Sequence, residues 1–105
     1  VNTAYPTPRP IEVLAHSPVV CEGRPDYSDT AYYTAASGAG VFASGTMRWV
    51  ESMMAGRRGD GDDHHISAAA GRFVTRVNTN LLTGFARGPA RELHPPARDN
   101  LATLA

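Results

Sequence analysis

The large apolar side chains of this sequence are gathered into a few short segments, and those segments are too few to cover one another. Hydrophobic residues make up 42% of the chain, but sixteen of them are Ala, and Val, Ile, Leu and Phe together number nineteen. A fold is held by apolar area removed from water, at roughly 25 cal/mol per Å². So thin a supply in 105 residues implies a small or incomplete body that needs further surface to bury. Disorder would call for high net charge as well, and here ten Arg balance ten acidic residues, for a net charge of zero. The same neutrality gives no electrostatic reason to expect nucleic acid or an anionic membrane as a partner.

Other classes fall away quickly. No run of eighteen apolar residues is present, and the N-terminal residues lack the basic-then-apolar layout of a signal peptide, so a soluble chain without an address of its own is expected. The single Cys21 can form no internal disulfide and indicates no compartment. All ten basic residues are Arg, a compositional bias from which no mechanism follows.

Along the chain, Pro6, Pro8 and Pro10 make residues 1–10 an extended connector. Ile11 to Ala15 reads as a short strand with Ile11 and Val13 on one face. Residues 19–30 are rich in turn formers and read as a surface loop. Ala31 to Thr34 starts another strand, and Ala39 to Ala43, with Val41 and Phe42 flanked by small residues, reads as a strand covered on both faces. Met47, Val50 and Met54 recur at helical spacing, with Trp49 and Met53 beside them, so a short helix is expected from a Ser44 or Thr46 cap to Gly56. Residues 56–67 read as a loop. From Ala68 to Arg87, Phe73, Val77 and Leu81 form an apolar stripe widened by Val74, Leu82 and Phe85, while Arg72, Arg76 and Asn80 face away. Gly88-Pro89 ends that helix, and residues 89–105 form a tail lying along a surface. The organisation expected is thus a connector (1–10), an α/β body (11–88) and a tail (89–105), with sheet edges left without partners.

Few residues are placed for chemistry. Asp29, Tyr32 and Tyr33 set a carboxylate and two phenols within five positions, a set able to orient an amide or support a hard metal ion. Successive strand residues point to opposite faces, so one Tyr of the pair reaches a given site. The plainer alternative has Tyr32 packing and Tyr33 hydrogen-bonding at a rim. Asp60-Gly61-Asp62-Asp63-His64-His65 lacks the spacing of a calcium loop or a helical zinc site and reads as a solvated acidic loop. Cys21 lies in no nucleophile elbow and is expected to be a buried or half-buried thiol. His16 beside Ser17 is no dyad, because neighbours in sequence seldom face each other. Gly38-Ala39-Gly40 precedes a strand and so makes no phosphate loop. Trp49 and the three Met residues read as ordinary core.

The run from Ser28 to Val50 resembles the C-terminal region of the N,N-dimethylformamidase large-subunit-like family. The Tyr-Tyr, Ser-Gly-Ala-Gly-Val-Phe and Gly-Thr-Met-Arg-Trp strings are its sharpest parts. His16 to Cys21 and Phe73 to Leu82 add context, so the likeness extends over roughly residues 10–100. It implies an α/β fold, the C-terminal portion of a flavodoxin-like, class I glutamine amidotransferase-like three-layer sandwich. It implies hydrolysis of a small amide at a carbon–nitrogen bond once the domain is complete, and iron in that complete domain, with no cofactor expected on this segment alone. Asp29, Tyr32 and Tyr33 would then line the edge of the site as its catalytic residues. The partners implied are the upstream part of the same domain or another protein chain, together with a small amide substrate. An alternative of another class is a noncatalytic module that completes its sheet with a partner chain.

Overall fold

The computed structural model of the protein describes residues 1–54 and 65–104. The helix stop expected at Gly56 and residues 60–64 of the acidic run lie outside the described residues. The chain divides into two compact units, residues 1–45 with 88–105 and residues 46–87. Helix and sheet are mixed, as expected, and the sheet is an antiparallel meander of three consecutive strands, β1 (Ile11–Cys21), β2 (Arg24–Thr34) and β3 (Gly40–Ala43).

The loop expected over residues 19–30 is instead the far half of the β1–β2 hairpin. Its register runs without interruption from Ala15 opposite Thr30 to Cys21 opposite Arg24. Glu22 and Gly23 form the two-residue turn, both at positive φ (50° and 77°), the backbone that suits the twist of a tight hairpin. Pro18 and Pro25, which argue against a strand in sequence, are tolerated because β1 lies at the sheet edge and β3 pairs only with residues 31–34 of β2. Neither proline has to supply a central ladder bond. β3 has one paired side and half-buried residues, rather than the two covered faces its composition implied.

Between Val13 and Ala15 the register shifts by one residue. Before the shift Val13 faces Ala31, and after it His16 faces Asp29. Leu14 is the extra residue, a β-bulge that moves every later side chain of β1 to the opposite face.

The core of this first unit is small: Ile11, Val13, Ala31 and Leu101, with Tyr33 and Leu104 packed against it. Leu101, expected in a tail along the surface, is only 7% exposed. It is held there by Asn100, whose side-chain Oδ1 accepts from the Val13 N–H at 2.7 Å and whose Nδ2 donates to the Val13 carbonyl at 3.0 Å. One side-chain amide thereby stands in for a neighbouring strand at the start of the β1 edge. Arg9–Asp99 (2.7 Å) and Arg98–Glu12 (3.3 Å) flank the contact. A short helix, Ala90–Leu93, follows Gly88-Pro89.

The second unit pairs a one-turn helix, α1 (Trp49–Ser52), with α2 (Ala68–Ala86). Ser67 caps α2 by accepting from the Ala70 N–H at 3.1 Å, which satisfies one of the first-turn donors. The buried stripe differs from the expected one. Gly71 and Val74 are buried, Val77, Asn78, Leu81 and Phe85 are half-buried, and Phe73 and Leu82 stand 65% and 69% exposed. Arg72, Arg76 and Asn80 are exposed as expected. Asn78 belongs to the inner face because it accepts from the Trp49 indole N–H at 2.9 Å and donates to the Met53 sulfur at 2.9 Å. The helix expected over residues 47–54 is one turn long, with Met47 fully exposed and Val50 and Met54 also exposed. The Thr46 hydroxyl accepts from Arg48 N–H two residues on, closing a local turn ahead of the helix rather than capping it.

Candidate functional site

The strand period separates the three residues expected at the site. Asp29, Ala31 and Tyr33 alternate onto the face that carries Ile11 and Val13, and Tyr32 lies on the other. Tyr32 is buried beside Glu12 and Phe42 and donates its hydroxyl to the His94 carbonyl at 2.8 Å. Burial raises its phenol above the ordinary value, so the neutral donor is the form this position favours. Tyr33 packs on the small core. Asp29 lies four residues along the same strand, about 13 Å at roughly 3.3 Å per residue.

Asp29 has a different set of neighbours, which sequence reasoning missed. The bulge at Leu14 sets His16 directly opposite it, and His16 Nδ1 lies 2.6 Å from Asp29 Oδ1. The second carboxylate oxygen of Asp29 pairs with the amine of Val1. On one face of the ring, Tyr27 stacks against His16 with centroids 4.0 Å apart and planes 15° from parallel. Pro18 faces Tyr27 across the hairpin. No sequence pattern announces the His16–Asp29 pair, since an unbulged register would set Ala15 opposite Asp29 and turn His16 to the other face.

The Asp29 backbone is fixed as well. Gly45 (φ +73°) lies so close that a Cβ there would overlap the Asp29 carbonyl, and the Ser28 hydroxyl donates to the Gly45 carbonyl at 2.5 Å. Thr30 on the same face as Ser28 donates to the Ser44 carbonyl at 2.9 Å. Burial pushes the Asp29 carboxyl up, but hydrogen bonds from the Val1 amine and His16, with the charge of each, outweigh it and hold the group below the ordinary carboxylate value.

His16, Tyr27 and Asp29 line a cleft of about 200 Å³, whose apolar lining includes Leu101 and Leu104. Ser17 and Cys21 are not among its lining residues. Cys21 sits exposed at the hairpin tip, not buried as its type suggested. His65, the end of the acidic run, is also exposed. Among the described residues no group of three or more His, Cys, Asp or Glu side chains could hold a metal ion. Asp29, Tyr32 and Tyr33 do not supply an iron site either, because Tyr32 lies on the opposite face, holds its proton toward His94, and leaves two distant ligands. Among the described residues no helix is long and apolar enough to cross a membrane.

No curated protein and no solved structure is significantly similar to the chain. A family model does match, over residues 1–65, which takes in the meander, the Asp29 pair and the Tyr-Tyr strand but stops short of α2. That span is more than half the chain, and the protein therefore belongs to the family described as N,N-dimethylformamidase beta subunit-like, C-terminal.

Proposed function

We propose that this chain is the C-terminal portion of an α/β domain that hydrolyses a carbon–nitrogen amide bond when assembled with further polypeptide. The observation that carries the reading is the unfinished sheet. Beyond Ala31 the β1–β2 hairpin runs on as a two-stranded ribbon with no third strand among the described residues, and Leu14, Val20 and Tyr27 are exposed on it. A lone two-stranded ribbon is marginal in water, so a completing layer supplied by the rest of the domain accounts for it. A flavodoxin-like sandwich is the architecture proposed for that whole, with these strands as its antiparallel extension, an arrangement common at the margins of otherwise parallel sheets.

In this reading Asp29 and Tyr33 line the edge of the site from one sheet face, and Tyr32 fixes the strand from behind through its bond to His94. Iron in the complete domain would be held by residues outside this set. The small amide would meet a polar edge made by Asp29 and a wall of leucines.

The test is co-expression with the upstream part of the same polypeptide, followed by measurement of solution mass, bound iron and hydrolysis of small formamides. A stoichiometric complex that turns over a formamide supports the proposal. A chain that stays monomeric, with the co-expressed material inactive, overturns it. The same free edges also favour a noncatalytic module that borrows strands from a partner, and a stoichiometric complex without amide turnover or metal would select that reading.

A further inference from the structure

We propose that His16 is a proton-transfer residue for hydrolysis in the cleft beside it, with Asp29 as its positioning residue. The inference rests on the hydrolytic reading above and names a residue which that reading does not require.

Four observations converge on His16. The bulge at Leu14 spends one residue of β1 to bring its imidazole onto the Asp29 face. Nδ1 is engaged by Asp29 Oδ1 at 2.6 Å, which sets the Nδ1–H tautomer and leaves the lone pair on Nε2. Stacking against Tyr27 at 4.0 Å fixes the ring plane, so the two contacts together determine where Nε2 points. The side chain is 29% exposed and lines the cleft, and Nε2 has no protein partner among the described residues. A carboxylate-held imidazole that lines a cleft and keeps its second nitrogen clear of protein partners is the general-base half of a hydrolytic site.

The cleft, at about 200 Å³, lies below the 300 Å³ or so at which pockets for drug-sized ligands begin, so it suits a carbonyl compound of a few heavy atoms. Ser17 and Cys21 do not line it, Thr3 and Tyr27 carry the hydroxyls that do, and water is proposed as the nucleophile. Nε2 takes a proton from water as the water oxygen bonds to the carbonyl carbon. When the carbon–nitrogen bond breaks, the imidazolium returns that proton to the leaving nitrogen. One water and one amide give one carboxylic acid and one amine. The other charged groups at the cleft are the Val1 amine, paired with Asp29, and the Asp26 carboxylate.

The test uses the full chain and p-nitrophenyl acetate, an ester that needs no assistance to its leaving group. The expected result is hydrolysis faster than that of free imidazole at equal concentration, lost to background in His16→Gln, reduced at least about tenfold in Asp29→Asn, and unchanged in His65→Gln. A rate equal to imidazole's, or one that His16→Gln leaves intact, overturns the proposal. Because either variant can disturb folding, nitrogen-15 shifts of the wild-type histidines give a second, independent reading. Protonated Nδ1 with unprotonated Nε2 at His16 above neutral pH is required, and the reverse tautomer overturns the assignment. Ester hydrolysis through His16 with no formamide turnover by the assembled domain would retire the amide reading while leaving this one standing.

Discussion

At Asp29 three separate constraints meet on one residue: His16 across the hairpin, the Val1 amine, and the Gly45 backbone pressed against its carbonyl. Its folded-state carboxyl is held below the ordinary value, so the associated stability is present above the unfolded value and is lost as pH falls through the lower folded one. Asp29→Asn should therefore lower the unfolding midpoint near neutral pH and flatten its acid dependence. Urea titrations of both proteins between neutral and strongly acidic pH check this, and parallel curves would contradict it. Gly45→Ala should cost more than the roughly 1 kcal/mol usual for a residue forced to positive φ, since the new methyl also displaces the Asp29 carbonyl. Asn100→Asp keeps the size of the side chain but exchanges its N–H donor for a second oxygen facing the Val13 carbonyl. Leaving half-buried polar groups so opposed costs on the order of 1 kcal/mol, and Asn100→Asp should lower the urea midpoint accordingly.

Among the elements, strand starts and the long helix were legible in the sequence, while the hairpin and its bulge were not. Ile11 and Val13 show period two, and Ser67 with Gly88-Pro89 brackets α2, because those signals are local. The far half of β1–β2 carries Pro18, Pro25, Asp26 and Asp29, residues that are poor in a central strand but acceptable where one edge is free. Edge position is a tertiary fact that no window of sequence contains. The inward position of Asn78 has a similar origin, since its two partners, Trp49 and Met53, lie more than twenty residues away. The same reasoning makes the bulge testable. Deleting Leu14 should restore an unbroken register in which Ala15 stays opposite Thr30 and His16 stays opposite Asp29, because the residue removed is the extra one. The expected outcome is a strand signal retained in circular dichroism together with a retained His16 tautomer preference. A His16 ring released from Asp29 by the deletion would show that Leu14 is not the extra residue of the register.

For the molecule as a whole, the shortage of large apolar residues has a second consequence beyond a small core: what there is lies partly outside. The first unit exposes Leu14, Val20 and Tyr27, and the second exposes Met47, Val50, Phe73 and Leu82. Isolated surface apolar residues are ordinary, but Phe73 and Leu82 are nine residues apart on α2, a half-turn around the helix at 3.6 residues per turn. Two opposite flanks of one helix are therefore unsheathed, and no single neighbouring element can cover both. A helix in that state draws on association for part of its stability, as obligate assemblies do. Phe73→Ser with Leu82→Ser should consequently reduce the mean mass measured by light scattering at high protein concentration. Because neither side chain is buried, the double change should leave the unfolding free energy of a dilute sample within about 0.5 kcal/mol of the parent, and its thermal midpoint correspondingly little moved. The two measurements separate causes: a fall in both would mean that these side chains serve the fold of the chain itself, whereas a fall in mass alone assigns them to contact with other polypeptide.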